Sequence, residues 1–163
     1  MAKLFALDCD SFKVAIAIFE NGKCENTLLI SADKKLDADK RGFKLYLDFS
    51  SILDNYKPDE ICIERSVYLQ SFPATASITK VIGYCTLAAN QHNIPYTMIH
   101  NTSWKKHLTG RGNSKKPEIK EAVIRLGYSS LIDDKQDLAD AIGIGLFYLH
   151  QKEREKKENE PET

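Results

Sequence analysis

No stretch of this chain strings together the roughly 18 apolar residues that a membrane span needs. The N-terminus also lacks a basic leader ahead of an apolar core: Met1 to Leu7 holds one lysine and runs straight into Asp8. The expectation is a protein that is neither secreted nor inserted in a membrane. Cysteine is sparse, with Cys9, Cys24, Cys62 and Cys85 in no Cys-x-x-Cys spacing, which argues against a zinc ribbon. Cys9, Cys62 and Cys85 sit in apolar runs and read as small core residues of a reducing compartment. An excess of one charge is missing as well. The 23 basic residues balance 23 acidic ones, so binding to nucleic acid through bulk charge is excluded while a patchy distribution is not. His92, His100, His107 and His150 show no ligand spacing, and there is no P-loop, Gly-x-Ser-x-Gly or dinucleotide fingerprint. What remains is 163 residues, 42% apolar and 28% charged, enough for one domain with one real core.

The patterning gives that domain a shape. Residues 3–8 and 12–19 are short apolar, β-rich runs. Asn21-Gly22 is a strong two-residue turn signal, and 23–31 supplies the returning strand of a hairpin. Over 37–56 the period lengthens to that of a helix, which Pro58 closes. Residues 60–64, Glu-Ile-Cys-Ile-Glu, read as a fully buried strand, and 74–92 as a helix with Ile78, Val81, Ile82, Cys85, Ala88 and Ala89 on one stripe. A short strand follows Pro95, then helices over 101–109, 117–126 and 136–150, with 110–114 as a loop. The tail 151–163 has no apolar side chain and is expected to be frayed or disordered, leaving 1–150 as the domain. A hairpin followed by crossover helices argues an α/β fold with a mixed sheet.

Acids stand at telling places in this pattern. Asp8 ends the first strand, Glu64 ends the buried one, and Asp137 and Asp140 lie three apart at the start of the last helix, so they share a face. Taken singly, Asp8 reads as a turn residue, and Asp137 as a charge favouring a helix N-terminus behind Asp133 or Asp134 as N-cap. Asp140 is harder to set aside, because it enters an almost wholly apolar helix, Ala-Ile-Gly-Ile-Gly-Leu-Phe-Tyr-Leu. The carboxyl ends of strands are where α/β sheets build sites, and several converging carboxylates demand a cation. Hard oxygen ligands suit Mg²⁺ or Mn²⁺, and a pair of such ions suits phosphodiester hydrolysis. Asp10 is read as a turn residue beside Asp8.

Basic residues gather in one segment. Between 102 and 126, Lys105, Lys106, Arg111, Lys115, Lys116, Lys120 and Arg125 stand against only Glu118 and Glu121. The loop Gly-Arg-Gly-Asn-Ser lies in their midst, and lysines with backbone amides there suit phosphate contacts; the alternative is a solvated helix face. Tyr68 and Phe72 follow Glu64 in a loop and either stack on bases or pack ordinarily.

With these pieces in view, the chain resembles the RuvC family of Holliday-junction resolvases, within the ribonuclease H-like superfamily, from about Lys3 to His150. The resemblance rests on FALDCDS, ICIERSVY, SWKKHLTGRGNSKKPEIKEAV and QDLADAIGIGLFYLH. Asp8, Glu64, Asp137 and Asp140 match the family's acids one by one. Thr109-Gly110-Arg111-Gly112 matches its Thr-Gly-x-Gly, with Lys105 before it and Lys116 after it. Two positions depart. Cys9-Asp10 stands where the family often has Pro-Gly, and Val67 where it often has an aromatic, with Tyr68 following. A phage or otherwise divergent member would carry such departures.

The resemblance implies a ribonuclease H-like five-stranded mixed sheet in the order 3-2-1-4-5, flanked by helices. It implies a homodimer that uses Mg²⁺ (Mn²⁺ as the alternative) to nick two opposed strands of a four-way DNA junction, leaving 5′-phosphate and 3′-hydroxyl ends. The setting would be the cytoplasm of a bacterial cell or phage-infected host. Asp8, Glu64, Asp137 and Asp140 would hold two ions, and Lys116, with Lys105, would position the scissile phosphate. A broader nuclease for branched DNA or RNA–DNA hybrids, a non-catalytic junction-binding module and an actin-like nucleotide-binding domain are the rival readings. Paired nicks require two sites, hence a two-fold dimer. The expected interface is the outer side of the 74–92 helix, with Ala74, Tyr84, Leu87 and Gln91.

Overall fold

The structure is a computed structural model that describes residues 2–65 and 71–161. The chain opens as β1 (Lys3–Cys9), β2 (Lys13–Glu20) and β3 (Lys23–Ser31), an antiparallel meander whose second turn uses the positive φ of Asn21 and Gly22. After α1 (Ala38–Tyr56), β4 (Glu60–Glu64) pairs parallel to β1. Following α2 (Phe72–Gln91), β5 (Tyr96–Ile99) pairs parallel to β4. The order is β3-β2-β1-β4-β5, as expected of a ribonuclease H-like sheet. Helices α3 (Asn101–Thr109), α4 (Lys116–Arg125), α5 (Ser129–Ile132) and α6 (Gln136–Glu158) complete the chain. No helix among the described residues is long and apolar enough to cross a membrane.

Side chains alternate across each strand, so the sheet feeds two cores. Phe5, Leu7, Val14, Ile16, Ile61 and Ile63 meet Leu45 and Phe49 of α1 and Val81 and Cys85 of α2 on one face. Leu4, Ala6, Ala15, Ala17 and Cys62 meet Trp104, Ile119, Ala139 and Ile142 on the other. The second face is lined by small residues for a reason. Helix α6 lies directly on it, and a Cβ on Gly145 would come within 2.2 Å of the Phe19 ring. All four cysteines are free and buried; this was expected of Cys9, Cys62 and Cys85 and holds for Cys24 as well.

Several local expectations change. Helix α2 starts two residues early, because Ser71 caps it by accepting from the Ala74 amide at 3.3 Å and Pro73 fits the first turn. The N-cap of α6 is Lys135; Asp133 and Asp134 instead take left-handed φ values of 45° and 58°, and Asp134 pairs with Lys120. Helix α6 runs on to Glu158, past its expected end at 150. Lys152 anchors it by donating to Glu60 at 2.9 Å, and Arg154 pairs with Glu158 one turn on. Two residues assigned to the outer side of α2 contact α1, Gln91 while still exposed. The Tyr84 ring packs on Tyr46 and over Gly42, and Gln91 accepts from the Tyr46 hydroxyl.

Candidate active site

Strand alternation decides where the acids point. Asp8 follows Leu4 and Ala6 at spacing two, and Glu64 follows Cys62, so both side chains lie on the α6 face of the sheet. The parallel register, Ala6 opposite Cys62 and Leu7 opposite Ile63, brings Asp8 beside Glu64 at the carboxyl ends of neighbouring strands. The first turn of α6 then lays Asp137 and Asp140 over that end. Carboxylate oxygens of Asp8, Asp137 and Asp140 all lie within 4.8 Å of one another. Glu64 joins them on the wall of a cavity of about 230 Å³, which Asp10, Arg65 and Lys116 also line. At ~30 Å³ for a water in the liquid, this space admits a pair of ions with a phosphate oxygen or several waters.

Such crowding is electrostatically costly. Burial, then the charges of Asp140, Glu64 and Asp137, hold the Asp8 carboxyl well above the usual carboxylate range. Burial also raises Glu64 and Asp140, against lowering contributions from Lys105 on both and Lys116 on Asp140. Each acid has a separate support. Trp104 donates its indole N–H to Glu64 Oε2 at 2.5 Å, and Gln136 donates to Asp140 Oδ1 at 2.9 Å. Lys13, from the start of β2, forms an ion pair with Asp137. Asp8, Glu64 and Asp140 stay raised despite the nearby cations, and all donors are hard oxygens, so the residues present fit hard divalent cations.

The basic segment divides in two. Arg111 pairs with Glu118 at 2.9 Å, Arg125 with Glu121, and Lys120 with Asp134, so three of the seven cations are engaged within the protein. Lys116, the first residue of α4, reaches the acidic cavity. Lys105 sits with its ammonium 5.6 Å from the Trp104 ring centre, while Lys106 and Lys115 are exposed. The intervening loop is built, not slack. Gly110 takes φ +86° to end α3; the Thr109 hydroxyl donates to the Lys105 carbonyl at 2.9 Å, and the buried Ser114 hydroxyl to the Arg111 carbonyl at 2.6 Å. Lys105 before the loop and Lys116 after it both act to lower the Asp140 carboxyl. Phe72 is 77% exposed in the first turn of α2, and Tyr68 lies outside the described residues.

Sequence reasoning missed Trp104, Lys13, Gln136 and Arg65. Arg65, next to Glu64, and Gln136, one helical turn before Asp140, carried local signals. Trp104 and Lys13 act across 40 and 124 positions and become visible only once the chain is folded.

A family model described as crossover junction endodeoxyribonuclease RuvC matches residues 13–148, a span that includes Glu64, Lys116, Asp137 and Asp140 and begins just after Asp8. The crossover junction endodeoxyribonuclease RuvC of Thermotoga maritima is 30% identical over 122 residues, covering 75% of this chain and 73% of that one. Two solved structures share the fold. Thermus thermophilus RuvC in complex with a Holliday junction substrate superposes with a TM-score of 0.80 at 16% identity, over 95% of this chain and 97% of that one. The yeast mitochondrial Holliday junction resolvase Ydc2 superposes with a TM-score of 0.67 at 12% identity, over 96% and 81%. On its sheet order, its acidic cavity and this match over most of its length, the chain belongs to the RuvC family of crossover junction endodeoxyribonucleases.

Proposed function

We propose that this protein is an endonuclease that resolves four-way DNA junctions by paired symmetric nicks, with Asp8, Glu64, Asp137 and Asp140 as its metal centre. The observation that carries this is the convergence of acids from β1, β4 and α6 at one open cavity that Lys116 also lines. Mg²⁺ is the cation that the all-carboxylate donor set favours, with Mn²⁺ the alternative. The chemistry such ions supply when bound is a lowered pKa for the attacking water and stabilisation of the departing 3′ oxygen. The chain's own residues do the rest. Lys116 and Arg65 set positive charge at the mouth, where a phosphodiester would lie, and Lys105 offsets the charge of Glu64 and Asp140. Lys106 and Lys115 are exposed and would meet flanking phosphates, Arg111 would exchange its pair with Glu118 for one, and exposed Phe72 would meet unstacked bases beyond the site.

One such centre makes one nick, so the reading includes a homodimer. Tyr84 and Gln91 are occupied by α1, which moves the proposed interface outward. Leu87 of α2 is 45% exposed, and Phe43 and Leu47 of α1 are 51% and 50% exposed, on two helices packed side by side. A second copy covering these side chains would relate two cavities by a two-fold axis. The nuclease domain is 1–150, with the α6 extension as its support. The test is a substrate panel with Mg²⁺: four-way junction, flap, fork, RNA–DNA hybrid and linear duplex. Preferential cleavage of the four-way junction supports the reading. Equal cleavage of flaps and forks would make the protein a general branched-DNA nuclease.

A further inference from the structure

Glu64 is held from behind by the chain's sole tryptophan. Trp104 is 1% exposed, and its N–H is a donor with no acceptor capacity, so inside the protein it needs an oxygen. That oxygen is Glu64 Oε2, at 2.5 Å. A carboxylate has two oxygens, and one committed to the indole leaves Oε1 for the cavity. The ring is fixed from the other side too. A Cβ on Gly143 would come within 2.8 Å of Trp104 Cζ3, so α6 presents bare backbone to the indole three residues after Asp140. One side chain from α3 thus touches the carboxylate at the end of β4 and the helix that carries Asp137 and Asp140. A phenylalanine would fill most of this space but could not bind Oε2.

We infer that Trp104 is a positioning residue of the metal centre: its N–H orients Glu64 so that Oε1 faces the cation, and its ring sets the spacing between β4 and α6. This rests on the reading of the four acids as a metal centre. Groups that orient metal ligands from behind cost about 10–100-fold in metal affinity or activity when removed.

Because the chain has one tryptophan, the native protein reports on its own site. Titration of the DNA-free protein with Mn²⁺ should quench indole emission and Mg²⁺ should shift it; Glu64→Gln should abolish both responses. Replacement of Trp104 by 3-benzothienylalanine, which exchanges the N–H for sulfur and keeps the ring, removes only the donor, whereas Trp104→Phe removes the donor and part of the ring. With either, Mn²⁺ affinity by calorimetry and the Mg²⁺ concentration for half-maximal cleavage should worsen about tenfold or more, while metal-free junction binding stays native. The benzothienyl chain preserves the packing should Trp104→Phe unfold. If that chain melts like native and binds Mn²⁺ with native affinity, the positioning role is overturned while the metal centre stands. If Glu64→Gln itself binds Mn²⁺ as native does, the metal-centre reading fails and the inference with it.

Discussion

Asp8 shows how one residue can be costly to the fold and necessary to the site. With the metal removed by chelation, its carboxyl is held above the usual range by burial and by four other acids. The native state then binds a proton more tightly than the unfolded chain does. Its contribution is favourable below the ordinary carboxylate value of about 4 and is lost as pH rises through the raised value. Asp8→Asn has no such titration. The variant should melt higher than native in chelator at neutral pH, the gap should shrink toward pH 4, and saturating Mg²⁺ should close or reverse it by binding only native protein. Differential scanning calorimetry across pH checks this; a variant that melts below native at neutral pH in chelator would contradict it. Asp8, Glu64, Asp137 and Asp140 were legible as candidates only as a set: two acids end apolar runs, and two lie three apart at the start of a largely apolar helix. Trp104 and Lys13 were not, since an aromatic at helical spacing and a lysine at a strand start look like ordinary core and surface until folding sets them against an acid.

At the scale of elements, α6 determines whether the acids meet. Its Gly143 and Gly145 let the helix lie on Trp104 and Phe19, and the alanines of β1 and β2 leave room beneath it. Gly145→Ala gains about 1 kcal/mol of helix propensity. It also drives a methyl into a ring that is 1% exposed and has nowhere to go, and overpacking of this kind costs about 1–3 kcal/mol. The net effect should be a loss of stability in urea unfolding, with cleavage falling more than the unfolded fraction explains because Asp137 and Asp140 shift with the helix. Unchanged stability and cleavage would mean that α6 has slack. Every strand was legible from apolar runs and turn signals. The end of α6 was not, because 151–158 lacks apolar periodicity and is held by charge: Lys152 on Glu60 of β4, and Arg154 on Glu158. The left-handed Asp133 and Asp134 likewise gave no periodic signal, and the single turn of α5 is too short to show one.

The whole molecule must supply two nicks from a chain with one acidic cluster of this kind among its described residues. Leu87→Glu, alone or with Phe43→Glu, should convert a dimer into a monomer in sedimentation at micromolar concentration, and should leave the protein folded because these side chains are about half exposed. A native chain that sediments as a monomer both free and on a junction would remove the proposed interface. The contacts of Tyr84 and Gln91 with α1 show what the sequence left open about this surface. The periodicity of α2 identified its core stripe but not which flank α1 would cover. The most direct test of the metal-centre account is to map cleavage of an end-labelled four-way junction with Mg²⁺, comparing native protein with Asp8→Asn, Glu64→Gln and Asp140→Asn. The account predicts symmetric nicks on two opposed strands, with 5′-phosphate ends, from the native protein. It predicts junction binding with less than about one-hundredth of native cleavage from each variant, beyond what loss of a merely supporting group would cause. Native-level nicking by Glu64→Gln, or no cleavage of the junction by the native protein with either Mg²⁺ or Mn²⁺, would contradict it.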